Sequence, residues 1–261
     1  MAVNKTLWLS EFKVSDLPHW PCPTCHEGWL TLEPRTYHTS ESESSKKENS
    51  KYVAANVPWA KGVFSCILIC NNRRCRESIA LSGCYDVQEE WLDDELSGQP
   101  YQTYSDFCIP ITFVPTVHLF AVPKFVPQII AEAVIDSFKT FWLDPSSCAN
   151  KIRTAVEVVL THKKVRKIEI KNNKKKHLTL HKRIQLFKIS HPSAAEKLEA
   201  IKWIGNEGSH SNKTSKEDLI DAYDILSSLL HQLYETETER IVKLSKKIVS
   251  KQNPLRSRGI K

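Results

Sequence analysis

The chain carries two hydrophobic rhythms. Up to about residue 123, apolar residues recur at alternate positions in short runs; beyond residue 127 they recur every three or four. Alternation marks strands with one buried face, and three-to-four spacing marks amphipathic helices. Residues 28–33, Gly-Trp-Leu-Thr-Leu-Glu, predict a first strand, residues 62–70 a second, and residues 76–83 its hairpin partner. A β-type run from Ile111 to Phe120 then ends in Pro123 and Pro127, where we place a domain boundary. Residues 1–20 hold Trp8, Phe12 and Trp20 and read as a leader that packs on the next unit. Residues 39–51, rich in Ser, Glu and Lys, read as a flexible loop, and the polar stretch 85–110, with Trp91 among acids, as a loop or short helix.

The second half predicts helices. Pro127 opens one over residues 128–142. After Asp144-Pro145-Ser146, the next places Cys148, Ile152, Ala155 and Val159 on one face. A short helix follows over residues 178–186. Ser193 and Glu196 fit a capping box, opening a helix that runs to Ile204 and stops at Gly205. Thr214 and Glu217 form a second box, and the helix it opens bears Leu219, Tyr223, Leu226, Leu230 and Leu233. A last helix covers residues 235–249, before a basic tail.

Composition narrows the classes. The 261 residues suffice for two modest cores, and no apolar run nears the roughly 20 residues of a membrane span. The first residues lack the apolar core of a signal peptide, so the expected compartment is the cytoplasm. The net charge of +7 is concentrated: residues 162–183 hold ten bases and one acid, Glu169. The bases Lys163, Lys164, Arg166, Lys167, Lys174, Lys175, Lys176, Lys182 and Arg183 are the candidate nucleic-acid contacts. A solvated linker with no partner has the same composition. Walker-type and dinucleotide-type glycine loops are absent, as are HExxH and Gly-x-Ser-x-Gly, which argues against nucleotide-driven or redox chemistry.

Among eight cysteines, Cys22-Pro-Thr-Cys25 and Cys70-Asn-Asn-Arg-Arg-Cys75 form two close pairs, each at the edge of a predicted hairpin. Two such knuckles offer four thiolates to a tetrahedral structural zinc, so Cys22, Cys25, Cys70 and Cys75 are the expected ligands. Cys66 and His26 are the substitutes, and a redox role for Cys22 and Cys25 lacks the βαβ setting it needs. Cys84, Cys108 and Cys148 read as buried or part-buried thiols.

Two of the seven glycines fall in Ile204-Gly205-Asn206-Glu207-Gly208-Ser209-His210, which joins two capped segments. A tight loop holding Asn206 and His210 is a place for function, although a helix cap followed by a turn has the same pattern. Arg153 and Glu157 stand one helical turn apart; they can pair with each other, or Arg153 can reach inward to a site.

The cysteine knuckles, the helix Ile152-Arg153-Thr154-Ala155-Val156-Glu157, the segment Leu180-His181-Lys182-Arg183-Ile184 and the Trp203–His210 stretch together resemble the bacterial domain-of-unknown-function family numbered forty-one forty-five. That domain is similar to HEPN helical bundles. The resemblance implies an α+β protein: a zinc-ribbon-like β domain (1–123), an antiparallel HEPN-like helical bundle (124–250) and a basic tail (251–261). It also implies a bacterial anti-phage or restriction-type defence setting and a homodimer. HEPN ribonucleases carry an Arg, then four to six residues, then a His; Trp203, Ile204 and Gly205 occupy the Arg positions here, and Lys202 is too far upstream. The preferred reading is therefore a non-catalytic, nucleic-acid-associated accessory protein, with no membrane role, that binds polyanion or a partner subunit. The alternatives are a metal-independent endoribonuclease toxin using His210, Asn206 and Arg153, and a protein-interaction adaptor without nucleic acid.

Overall fold

The computed structural model describes residues 3–50, 59–93, 98–171, 174–210 and 214–251, the side chains of 171, 206–210, 237–240 and 251 excepted. The fold is mixed α and β. After a short helix α1 (Lys5–Leu9) come strands β1 (Leu30–Leu32) and β2 (His38–Glu41), helix α2 (Glu43–Asn49), and strands β3 (Lys61–Cys70), β4 (Ser78–Asp93) and β5 (Pro100–Val114). They form an antiparallel sheet in the order β1-β3-β4-β5, with β2 beside β1 on the same edge of β3. Register follows the apolar alternation: Phe64 lies opposite Gly83, Cys66 opposite Leu81 and Leu68 opposite Ile79, and all but the glycine are core side chains.

Several stretches of the β half differ from the sequence expectation; the β-type run from Ile111 to Phe120 is strand only as far as Val114. Residues 39–51 include β2 and α2 rather than a free loop. Ser42 caps α2 by accepting from the Ser45 amide at 3.2 Å, while Ser45 Oγ donates to Glu41 at 2.7 Å and accepts from the Lys61 amide at 3.0 Å. The described residues of the polar stretch 85–110 are strand except 98 and 99. β3 pairs with β4 only as far as Asp86, whereas β4 and β5 stay paired out to Asp93 and Pro100. Beyond Asp86 the two strands form an arm, and near its tip solvent on both sides leaves no apolar alternation to read.

The leader packs as expected. Trp20 is fully buried, its indole N–H donates to Leu7 O at 3.0 Å, and its ring meets Phe12 at 5.0 Å and Phe113 at 5.1 Å. From there one continuous apolar core runs into the helices. The bridge is Trp142, whose ring lies 4.8 Å from Phe113 and 5.9 Å from Trp8. This explains why helix α3 (Gln128–Phe138) stops short of residue 142. Phe141 and Trp142 leave the helix and turn into the core.

Helix α4 (Pro145–His162) is capped by Asp144, which accepts from the Ser146 and Ser147 amides, and it buries Cys148, Ile152, Ala155 and Val159. A small hairpin, β6 (Ile168–Lys171) and β7 (Lys174–His177), leads to α5 (Leu180–Lys188), α6 (Pro192–His210), α7 (Lys216–Tyr234) and α8 (Glu237–Lys251). Helix α6 starts earlier than its predicted box: Pro192 takes the first position and the His191 carbonyl accepts from Ala195. The box of α7 is real but one residue later, with Ser215 as cap and Asp218 in reciprocal contact. Tyr223 on α7 anchors the helical core; its hydroxyl donates to Ser137 Oγ at 2.9 Å and lies 3.0 Å from Cys148 Sγ. Helix α8 exposes Ile241, Val242, Leu244, Ile248 and Val249. The tail from residue 252 lies outside the described residues.

Candidate metal centre and nucleic-acid interface

The four predicted cysteines meet. Their sulfurs all lie within 4.8 Å of one another, and all four are free thiols. The nearest pairs run across the knuckles, Cys22 to Cys75 at 3.8 Å and Cys25 to Cys70 at 3.7 Å. Metal–sulfur bonds of about 2.3 Å in a tetrahedron require sulfurs about 3.8 Å apart, so the donor set fits a tetrahedral thiolate ion. Neither substitute joins it. Cys66 lies in the sheet, where burial and nearby Cys108 push its thiol up to about 11, and the His26 ring packs against His118 at 5.2 Å.

The two knuckles are built alike despite their unequal spacing. In the first, the Cys22 carbonyl accepts from His26 at 3.0 Å; in the second, the Asn72 carbonyl accepts from Arg76 at 3.1 Å. His26 and Arg76, each just after the second cysteine, both take left-handed backbone, at φ 57° and 53°. Each is followed by a glutamate, Glu27 or Glu77, whose amide donates to the preceding cysteine sulfur. Asn72 thus occupies the turn position that Cys22 fills in the first knuckle, and the ligand position has moved back to Cys70, at the end of β3. Its side chain still faces the centre, with Nδ2 3.8 Å from Cys25 Sγ. The longer C-x4-C spacing is therefore the same turn with its first sulfur supplied by the strand.

Electrostatics and space both suit a cation. Burial pushes the Cys25 thiol up, but amides of Glu27 and Gly28 and the neighbouring Cys70 and Cys75 outweigh it and hold Cys25 at about 6. Burial, opposed by the Asn72 amide and reinforced by Cys25 and Cys22, pushes Cys70 up to about 12. One thiolate forms readily and the next is resisted by it, the pattern a divalent ion relieves. Gly28 lets the knuckles close: a Cβ there would sit 2.7 Å from both Cys70 Sγ and Asn71 Oδ1. Thr24 donates to Glu77 at 2.7 Å and ties one knuckle to the other.

The basic segment divides into surface and interior. Lys164, Arg166, Lys167, Lys174, Lys175, Lys176 and Lys182 are exposed on and around the β6–β7 hairpin. Ile168 faces His177 and Ile170 faces Lys175 across the ladder, with Lys174 and Lys176 on the opposite side. Lys182 pairs with Glu169 at 3.5 Å, joining α5 to the hairpin. Two of the nine candidates turn inward instead. Arg183 is 3% exposed and donates to Thr161 Oγ1 at 3.0 Å and to the Val165 and Glu157 carbonyls. Lys163 is half-buried, donates to the Leu233 carbonyl at 2.8 Å and lies over the Tyr234 ring. Both bases are used in holding α4 against its neighbours.

The Gly205 region corrects the expected loop. Helix α6 continues through Gly205 to His210. A glycine ends a helix by adopting left-handed backbone; Gly205 stays helical, because Leu198, Ile201 and Gly205 form one continuing face, with Gly205 seated on α4. A Cβ on it would lie 3.8 Å from Arg153 Cβ, so Arg153 is at this helix crossing. The side chains of Asn206 and His210 lie outside the described residues.

Sequence reasoning missed a polar cluster one turn earlier. Lys202 is 5% exposed, with Nζ 3.3 Å from His181 Nδ1, 3.5 Å from Glu199 and 4.2 Å from the centre of the Trp203 ring. An ammonium only donates, so His181 Nδ1 is the acceptor. The Glu199–Lys202 spacing on one helix was the available signal; the contribution of His181 from α5 was not.

Cys148, expected among the buried thiols, is buried, as is Cys108, but Cys84 faces solvent on the outer side of β4. Among the described residues no helix is long and apolar enough to cross a membrane. No curated protein and no solved structure matches the chain. Residues 10–113, which contain all four clustered cysteines and the sheet, match the model of Domain of unknown function (DUF8608). Residues 136–253, most of the helical part, match the model of Domain of unknown function (DUF4145), the family that the sequence resembles.

Proposed function

We propose that this protein is a non-catalytic, nucleic-acid-associated accessory protein, built as a zinc-ribbon-like domain (1–123), a HEPN-like bundle (124–250) and a basic tail (251–261). The observation that carries the reading is the β6–β7 hairpin, which presents lysines on both faces beside Lys164, Arg166, Lys167 and Lys182. Phosphate contacts by such side chains release counterions, so affinity should fall steeply with salt, by about 0.9 log units per log unit of salt for each phosphate neutralised on duplex DNA. Titrating labelled RNA and DNA at several salt concentrations tests this. Binding absent at low salt, or indifferent to salt, overturns it. The family resemblance supports a cytoplasmic role beside a defence system, and a partner subunit is then a second ligand of the same surface.

Zinc is the ion that best suits four thiolates in this geometry, and it would serve structure alone, because all four positions are taken by protein. Metal analysis of the purified chain should find one zinc per chain, lost when Cys25 and Cys70 are replaced. The exposed apolar stripe of α8 supports pairing with a second copy; light scattering of the full chain at rising concentration tests it.

A metal-independent ribonuclease remains the second reading, favoured by the approach of Arg153 to Gly205, five residues before His210. RNA cleavage in chelator that disappears in both His210→Ala and Arg153→Ala would establish it and displace the accessory role.

A further inference from the structure

Trp203 is an exposed indole held in place by its own helix. It is 62% exposed, and beneath it lies the Lys202 ammonium, 4.2 Å from the ring centre. Lys202 is itself fixed, buried between His181 of α5 and Glu199 of α6. A cation on one face anchors an aromatic ring with little loss of access to the other. A base stands close by: Lys182, next to His181 in the first turn of α5, is exposed and paired to Glu169 on the hairpin. An anchored aromatic face beside a phosphate-binding surface is the pairing with which proteins hold unpaired bases, the cations following the backbone and the ring stacking on a base. Duplexes offer no free base face to such a ring.

We propose that Trp203 is a base-stacking platform and that the polyanion engaged by the basic hairpin is a single-stranded nucleic acid. This rests on the nucleic-acid reading above and specifies its ligand. Stacking uses the face every base has, so RNA and DNA strands both bind, and preference between them comes from the sugar. Lys202 and His181 are positioning residues: they hold the ring and do not touch the strand.

The test uses the full chain with labelled oligouridylate, oligothymidylate and a duplex of equal length. The unaltered protein should bind the single strands more tightly than the duplex, with quenching of indole emission. Trp203→Ala should weaken single-strand binding about fivefold to a hundredfold, the range of one base–aromatic stack. It should leave duplex binding and the salt slope unchanged. Trp203→Tyr should retain most of the affinity, and the melting temperature of both variants reports folding. Trp91→Ala removes an equally exposed indole on the acidic arm and should change nothing. Unchanged single-strand binding by Trp203→Ala, or an equal loss for duplex, overturns the platform. If replacing Lys174, Lys175 and Lys176 by Gln then still weakens binding, the nucleic-acid reading survives; if the unaltered protein binds no strand at low salt, both fall.

Discussion

The molecule extends two β-hairpins of opposite charge, and they are supported in opposite ways. Residues 86–106, a stretch of sequence that takes in the outer parts of β4 and β5, contain seven acids and no base, while residues 162–183 around β6 and β7 contain ten bases and one acid. The acidic arm continues two long strands of the five-stranded sheet, β4 inside it and β5 at its edge, and Lys13 and Glu11 of the leader brace its base through Glu90 at 2.9 Å and Gln88 at 2.9 Å. The basic hairpin has four-residue strands and, among the described residues, pairs with no other strand. An isolated two-stranded hairpin is marginal in water. It hangs on α5 through Lys182–Glu169, and the Lys167 carbonyl, which accepts from Leu178, closes its open end. The acidic charge is thus displayed on a braced frame and the basic charge on an adaptable one, as fits a surface that follows a flexible polyanion.

The largest expected effect comes from removing the support of the acidic side. Thiolate centres supply folding free energy directly, about 10–16 kcal/mol of apparent binding energy in zinc-finger peptides. Chelation, or Cys25→Ser, should therefore strip hydrogen-exchange protection from β3, β4 and β5, arm included, while α4, α6 and α7 keep theirs. Equal loss in the helices would show that the continuous core around Trp142 makes the two regions one cooperative unit, and the contrast in support would disappear. Gly28→Ala gives a milder version. Its Cβ would press on Cys70 Sγ, and overpacking of this kind costs about 1–3 kcal/mol.

Next in size is the basic hairpin. Lys174→Gln, Lys175→Gln and Lys176→Gln together should flatten the salt slope for single strands by about 2, at about 0.7 for each phosphate no longer neutralised. An unchanged slope would mean that these lysines face solvent only. The mirror experiment on the arm, Glu89→Gln with Asp93→Asn, should raise affinity less than twofold, and only at low salt, because the Debye length is about 8 Å at physiological ionic strength. A large gain at physiological salt would place the arm against the bound strand and break the separation of the two hairpins.

How far the sequence revealed all this depended on whether the partners were local. The cysteine centre was legible because each knuckle is a self-contained turn, although the position of Asn72 in the second one emerges only from the backbone. The basic charge was legible as a sum but not residue by residue. Lys163 and Arg183 turn inward to Leu233, Thr161, Val165 and Glu157, at separations of 18 to 70 residues. The arm is hidden from the sequence because strands solvated on both faces carry no alternation, and glycine propensity alone ends α6 at Gly205, where packing on α4 carries the helix on.

The smallest expected effect lies at that glycine. Gly205 is helical, and a Cβ there would meet Ala149 O at 3.6 Å and Arg153 Cβ at 3.8 Å, ordinary contact distances. Gly205→Ala should therefore remove the entropic cost of a mid-helix glycine and stabilise the protein by roughly 0.5–1 kcal/mol, about 1–4 °C in melting temperature for a chain of this size. If α6 acts only as a rigid carrier of Trp203, affinity for single strands should not move. A variant that melts higher but binds more weakly would instead show that the helix must bend at Gly205 to engage its ligand. The adaptable side of the molecule would then extend from the basic hairpin into α6.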